Sequence, residues 1–435
     1  MELLAQFLTA IVRFWCFFSP AIIHATSFLK DSGRLAFIIS DSWLNMNFGR
    51  ALKEFLLRRY KITAIIGFEE RVFEEALVRT ILILVENAPS KNNRVRFIRL
   101  RNHHELGKLH SVLNRRKSAG KTSVVEIEQA RLNPNDSWGV YLKASPQYFE
   151  IITESIITPL KELADIGIGV QTLKNDFYIT DKEKMEELQL EKEFFEEVIM
   201  SPRGCPLIIK NKKEIHDFVL YCDKPHEMKN TNVLQYIKNA EKTKVNQRGK
   251  TKTIIGFHNI PRINYARRNP WYNLVSEIEK RCRGTIILPR RSFKRFFAAW
   301  NKAKVVVNDN FINIEPKNKS HLFPMLAVLN SSFTEYLCRV RSQTYGGGVF
   351  DLRPGDVKNL PCLNLDMVPK KTLNKLASAY QKFIKSDGTD KSSIDQIIMK
   401  DILCFRRAEW EHLTKERDSL MLLASVSNGG SQSSC

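Results

Sequence analysis

Three groupings in this sequence have residue types that could bind or react. Arg290, Arg291, Lys294 and Arg295 are spaced to reach phosphates, which position a nucleic acid, and guanine edges, which specify it. The competing reading is a solvated charged face. Gly346, Gly347 and Gly348 would let backbone approach a ligand closely or take a positive φ, and they suit a tight turn without contact equally well. Asp309 with Glu315-Pro-Lys317 imitates a metal-dependent nuclease, in which two carboxylates hold magnesium and the lysine stabilises developing charge. The short spacing and the internal proline make chance the better reading, and no metal is expected.

The charge balance favours the first grouping. Lys and Arg number 68 against 47 Asp and Glu, a formal net charge of +21. Such an excess is the footprint of a nucleic-acid binder, because clustered cations displace the counterions of a phosphate backbone. Hydrophobic residues make up 43% of the chain, with 26 Phe, which excludes a disordered polyelectrolyte. The eight cysteines form no CxxC pair and no Cys/His spacing that closes a zinc site, so reduced thiols and a cytoplasmic location are expected. Residues 3–18 are apolar but short for a membrane span and carry Arg13, which reads as a buried helix rather than a membrane segment.

These residues need elements to position them. From 28 to 88, apolar runs at 34–40, 62–68 and 80–85 alternate with a helical stretch at 49–60, the pattern of a parallel doubly wound sheet. That helix shows Leu52, Phe55 and Leu56 on one face with Arg50, Lys53, Arg58 and Arg59 around it. Arg94-Val-Arg-Phe-Ile-Arg-Leu-Arg101 reads as an edge strand with a solvated charged face, followed by more positive charge at Arg115, Arg116 and Lys117. Residues 181–200 read as an acidic amphipathic helix or helix pair. Residues 242–304 are basic, with Tyr265, Trp271, Tyr272, Phe293, Phe296, Phe297 and Trp300 interleaved.

Residues 33–83 carry a resemblance. Gly33-Arg-Leu-Ala-Phe-Ile-Ile-Ser-Asp-Ser-Trp-Leu44, Phe48-Gly-Arg-Ala-Leu-Lys-Glu-Phe-Leu56, Val72-Phe-Glu-Glu-Ala76 and Val78-Arg-Thr-Ile-Leu-Ile83 are similar to the TaqI-like and Eco57I-like adenine-N6 DNA methyltransferases, in the part after that family's Asn-Pro-Pro-Tyr motif. Leu163-Ala-Asp-Ile-Gly-Ile-Gly-Val-Gln-Thr172, Asn175-Asp-Phe-Tyr178, Tyr345-Gly-Gly-Gly-Val-Phe350 and Asn359-Leu-Pro361 resemble its target-recognition domain. The resemblance implies an α/β fold with an incomplete Rossmann-like methyltransferase sheet (1–88), a basic connector (89–158), an α+β target-recognition domain (159–368), C-terminal helices (369–424) and a disordered tail (425–435). It implies double-stranded DNA as partner, a recognition loop at Gly346 to Gly348, and Phe73 as the ring that stacks on an extruded adenine. Plain core packing of Phe73 is the equal alternative.

The family's glycine-rich S-adenosylmethionine turn does not precede Gly33, and its Asn-Pro-Pro-Tyr occurs nowhere in the chain. Asp165-Ile-Gly-Ile-Gly169 imitates the turn without opening an apolar-periodic helix. Asn269-Pro-Trp-Tyr272 imitates the tetrapeptide, but within the basic segment, and reads as a structural turn. The complete enzyme is therefore expected to use S-adenosylmethionine and this chain alone to bind none. The expected function is sequence-specific DNA binding as part of an adenine-N6 methyltransferase, with a separate chain as one source of the missing half. A non-catalytic specificity module and an inactive truncated product are the alternatives.

Overall fold

In the computed structural model, which describes residues 18–70, 72–73, 79–108, 123–246, 253–292, 295–344 and 350–426, the apolar run at 61–68 becomes the middle strand of a five-stranded sheet. The strands are β1 (Arg34–Ser40), β2 (Lys61–Phe68), β3 (Thr80–Glu86), β4 (Arg94–Leu100) and β5 (Ser123–Glu128). Helix α1 (Phe18–Thr26) precedes β1, and α2 (Arg50–Arg59) lies between β1 and β2. Ile62, Ala64, Ile65 and Ile66 of β2 are fully buried, as a continuous apolar run requires of a strand covered on both faces.

The sheet is mixed, not parallel as the helix-strand alternation suggests. Its order is β1-β3-β2-β4-β5, with β3 antiparallel to β1 and β2, β4 parallel to β2, and β5 antiparallel to β4. Connection length supplies the reason. The eleven residues 69–79 between β2 and β3 are too few for a helical crossover, so the chain returns antiparallel. Helix α2 provides a crossover between β1 and β2, which share a direction because both pair antiparallel with β3. Strand β1, whose continuous apolar run suits an interior strand, is an edge among the described residues, and its Ile38 is 52% exposed.

Two charge assignments change. Lys53 is buried with Leu52, Phe55 and Leu56, because its ammonium donates to the Asp136 carbonyl at 2.6 Å and lies 5.5 Å over the Trp138 ring. Burial lowers its pKa to about 8. Strand β4 is interior, and its arginines and the Arg101 that follows it meet carboxylates: Arg94 and Arg96 lie 3.5 and 3.4 Å from Glu126, Arg99 3.3 Å from Glu69, and Arg101 2.9 Å from Glu70. Val95, Phe97, Ile98 and Leu100 between them are buried. The stretch read as a connector thus supplies two strands of the sheet; Arg115, Arg116 and Lys117 lie outside the described residues.

The chain divides into two units, the first Met1–Ile157, Tyr336–Asp351 and Arg407–Cys435, the second Thr158–Glu335 and Leu352–Arg406. In the second, one four-stranded sheet contains β6 (Ala164–Ile168), β10 (Ile286–Pro289), β11 (Ala299–Trp300) and β13 (Phe311–Pro316) in the order β11-β10-β13-β6. Another contains β7 (Ile179–Asp181), β8 (Phe195–Ile199), β9 (Asp217–Leu220) and β12 (Val306–Val307) in the order β12-β8-β9-β7. Helix α3 (Asn232–Lys242) buries Val233, Ile237 and Ala240, one helical face, and is capped by the Thr231 hydroxyl, which accepts from the Leu234 N–H at 3.2 Å. Helices α4 (Val275–Arg281), α5 (Leu322–Asn330) and α6 (Lys370–Lys385) follow.

The acidic stretch expected to be helical splits into a short helix, Lys182–Glu187, and strand β8. Phe195 and Val198 of that strand are buried, while Glu196 is held 2.8 Å from Lys212 and 3.3 Å from Arg283. No helix of the described residues is long and apolar enough to cross a membrane. The apolar stretch at 3–18 lies outside the described residues apart from Phe18, and so does the tail from residue 427.

Candidate nucleic-acid interface

Strands β1, β2 and β4 point the same way, so Asp41, Glu69 and Arg101 stand at one end of the first sheet, where Arg79 leads into the opposed β3. Ligands of open α/β sheets bind at the carboxyl ends of the strands. A small cavity of about 60 Å³ opens there, lined by Asp41, Asn45, Glu69, Arg79, Arg99 and Lys143. The Asp41 N–H donates to the Arg79 carbonyl at 3.0 Å, and Arg99 donates to the Lys143 carbonyl at 2.9 Å. Asn45 is fixed by accepting from the Ser137 hydroxyl at 2.5 Å and the Gly139 N–H at 3.1 Å. Burial pushes the Asp41 carboxyl above its ordinary range, and the charges of Arg79 and Lys143 only partly offset it. A carboxyl poised in this way among cations can exchange a proton or hold a polar group. The sequence signal was the polar triplet Ser40-Asp41-Ser42 directly after an apolar run.

Phe73 is on the loop that leaves β2 at this end of the sheet and is 48% exposed. That exposure is more than a ring packed in a core would have.

In the second unit, Arg290 follows β10 and is half-buried, its N–H donating to the Asn310 carbonyl and its carbonyl accepting from Leu352, both at 2.8 Å. Arg291 is exposed. Arg295 is anchored within the unit, donating to the Cys205 carbonyl at 3.0 Å and lying 4.5 Å over the Phe297 ring. Lys294, Phe293 and Gly346, Gly347 and Gly348 lie outside the described residues. The interleaved aromatics largely build core rather than a stacking surface. Tyr272, Phe296 and Phe297 are buried, and Trp271 packs 4.7 Å from Phe177 while donating to Glu241 at 2.9 Å. Tyr265 is the exception, 86% exposed.

The motif lookalikes have structural explanations. Asp165-Ile-Gly-Ile-Gly169 runs along β6, paired antiparallel with β13, and a Cβ on Gly169 would fall 2.0 Å from the Asn308 carbonyl oxygen. Close strand packing demands that glycine, so these residues do not fit S-adenosylmethionine. Asn269-Pro-Trp-Tyr272 is a turn whose Trp271 carbonyl accepts from the Tyr178 hydroxyl at 3.0 Å. Glu315 accepts from the Thr285 hydroxyl at 2.6 Å and from Lys304 at 3.0 Å, while Lys317 donates elsewhere, to the Lys161 carbonyl at 2.8 Å. Burial alone would raise the Glu315 carboxyl, but these donors outweigh it and hold it below the ordinary range. Among the described residues no group of three or more His, Cys, Asp or Glu side chains could hold a metal.

Residues 143–398 match the family described as type II methyltransferase M.Eco57I, C-terminal domain, and residues 14–73 match the Eco57I restriction-modification methylase family. The type II methyltransferase M.AccI of Acinetobacter calcoaceticus is 23% identical over 399 residues, 88% of this chain and 69% of that protein. Two solved structures are similar at low identity. The type IIG restriction endonuclease BpuSI aligns with a TM-score of 0.44 at 15% identity, over 93% of this chain and 48% of that one. The type IIL restriction-modification enzyme MmeI, solved in complex with DNA, aligns with a TM-score of 0.45 at 12% identity, over 92% of this chain and 48% of that one. The chain therefore spans about half the length of these two solved enzymes. With residues 143–398 matched, more than half of its 435, the chain belongs to the M.Eco57I C-terminal-domain family of type II methyltransferases.

Proposed function

We propose that the chain is the target-recognition part of an adenine-N6 DNA methyltransferase of a restriction-modification system. It binds duplex DNA sequence-specifically, and methyl transfer from S-adenosylmethionine to adenine N6 requires a glycine-rich cofactor unit and an Asn-Pro-Pro-Tyr that its residues do not include. A separate chain is one source of that unit. Family membership across residues 143–398 is the observation that carries this reading. The net charge of +21 supports a polyanionic partner.

The chain's own residues bind and position. Arg290 and Arg291 reach phosphates, and Gly346, Gly347 and Gly348, outside the described residues, are the candidate recognition glycines. The exposed ring of Phe73 stacks on the extruded adenine, replacing stacking lost from the duplex. The exposure of Phe73 favours this reading over a purely non-catalytic specificity module, in which that ring would have only a packing role.

Fluorescence anisotropy of the full chain with a labelled duplex tests the proposal. Binding at 50 mM salt that weakens by roughly 10³-fold or more by 200 mM is expected from several phosphate contacts. Absence of binding at the lower salt would overturn it.

A further inference from the structure

A polar pocket of about 440 Å³ lies wholly within the second unit, a volume in the range of roughly 300–1,000 Å³ common to ligand sites. It forms where the segment after β6 meets the segment before α4. Gln171 and Leu173 line one side, and Arg267, Asn269, Ser276 and Arg281 line the rest. The two stretches that imitate cofactor and catalytic motifs thus converge on a site of a different kind.

The floor is held rigidly. Arg268 donates to the carbonyls of Gln171 at 2.6 Å and Thr172 at 3.3 Å, to the Tyr178 hydroxyl at 3.4 Å, and to Glu277 at 3.1 Å. The other Glu277 oxygen accepts from Arg281 at 3.2 Å and from the Gln171 N–H at 3.4 Å. Glu277 is shared by Arg268 and Arg281, so the floor keeps one net positive charge while its groups are held in place, which preorganises the walls above it.

The walls are different. The side chains of Gln171, Arg267, Asn269 and Ser276 have no hydrogen-bond or ion-pair partner among the described residues. Leu173 and Arg267 both hold left-handed backbone, with φ of 66° and 53°, a conformation that bulky side chains adopt rarely and that collects at ligand clamps. Leu173 is 38% exposed, and Tyr265, 86% exposed, stands two residues before Arg267. Unmet polar groups and strained backbone therefore share one rim.

The mix of groups selects among ligands. A phosphate offers acceptors alone; it would be met by Arg267 and the amide N–H groups but would leave the amide oxygens of Gln171 and Asn269 without a donor. A purely apolar ligand would leave the amides unmet, at the cost of their desolvation. A base edge offers donors and acceptors side by side, and Gln or Asn pairs with adenine, Arg with guanine, and an apolar side chain with the thymine methyl. We infer that this pocket reads base edges of duplex DNA, with Gln171 and Asn269 as specificity-determining residues, Arg267 as a second reader and Leu173 as an apolar contact. The inference rests on the DNA-binding reading above and locates the readout outside the arginine run at 290–295.

Selection from a randomised duplex library with the full chain and with Gln171→Ala and Asn269→Ala variants tests it. Each variant is expected to lose preference at one or two base positions by about 5- to 150-fold. Affinity for random-sequence duplex, its salt dependence and the midpoint of thermal unfolding should stay as in the parent chain. Variants that bind with base preference intact would overturn the pocket assignment while leaving DNA binding in place. A uniform loss across all sequences would mark a phosphate contact and also overturn it. A parent chain that binds no duplex would overturn the DNA-binding reading itself, and the pocket assignment with it.

Discussion

Arg94, Arg96 and Arg99 of β4 and Arg101 just after it each lie within 3.5 Å of a carboxylate, whereas the side chains of Arg262 and Arg267 in the second unit have no such partner among the described residues. Both stretches add to the count of positive charge in the same way. In the sheet, neighbouring strands present side chains at fixed cross-strand spacing, so each arginine finds an acid from β5 or from the end of β2. The turn around Arg267 imposes no such register, and its guanidinium stays available to an outside partner. A basic run in a sequence is therefore a DNA surface only where the fold has not already neutralised it.

Arg268 is the informative intermediate, an arginine of the second unit held as firmly as those of β4. Its side chain is 9% exposed and that of Glu277 19%. Arg268→Ala leaves Glu277 without its main counter-charge and should cost about 3 kcal/mol of stability in urea unfolding. A loss near that of an exposed pair, below about 1 kcal/mol, would mean the pocket floor is not rigid and would weaken the contrast drawn above.

A smaller effect tests the end of the first sheet, where the imbalance is reversed and burial disfavours a carboxylate. Because the folded state raises the Asp41 pKa, it holds the proton more tightly than the unfolded chain does. Its contribution is then fully present below the ordinary carboxylate pKa and is lost as pH rises through the folded value. Asp41→Asn should consequently raise the thermal unfolding midpoint at neutral pH, and the gain should shrink as the buffer is taken down through the carboxylate range. A gain that persists unchanged in acid would exclude this cause.

Much of this architecture was legible locally. The continuous apolar run of β2 and the amphipathic face of α2 both follow from pattern. The antiparallel placement of β3 depended on the loop length at 69–79, which apolar periodicity does not report. Lys53 was misread because its acceptor, the Asp136 carbonyl, is 83 residues away. The site shows the same limit. Phe73 was legible as a candidate through resemblance, but its exposure required the fold. The polar pocket was invisible, since Gln171 and Arg268 are separated by 97 residues and neither the 163–172 motif nor the basic segment around Arg268 reports that the two meet.

The most direct measurement is the salt dependence of duplex binding by the parent chain and by Arg262→Ala and Arg96→Ala variants. The parent should show a steep decline of affinity with salt. Arg262→Ala should lower the slope of log K against log salt by about one, and Arg96→Ala should leave it unchanged because Glu126 already neutralises that charge. A flat slope for the parent chain, or a slope that falls only on replacing the arginine of β4, would contradict the account.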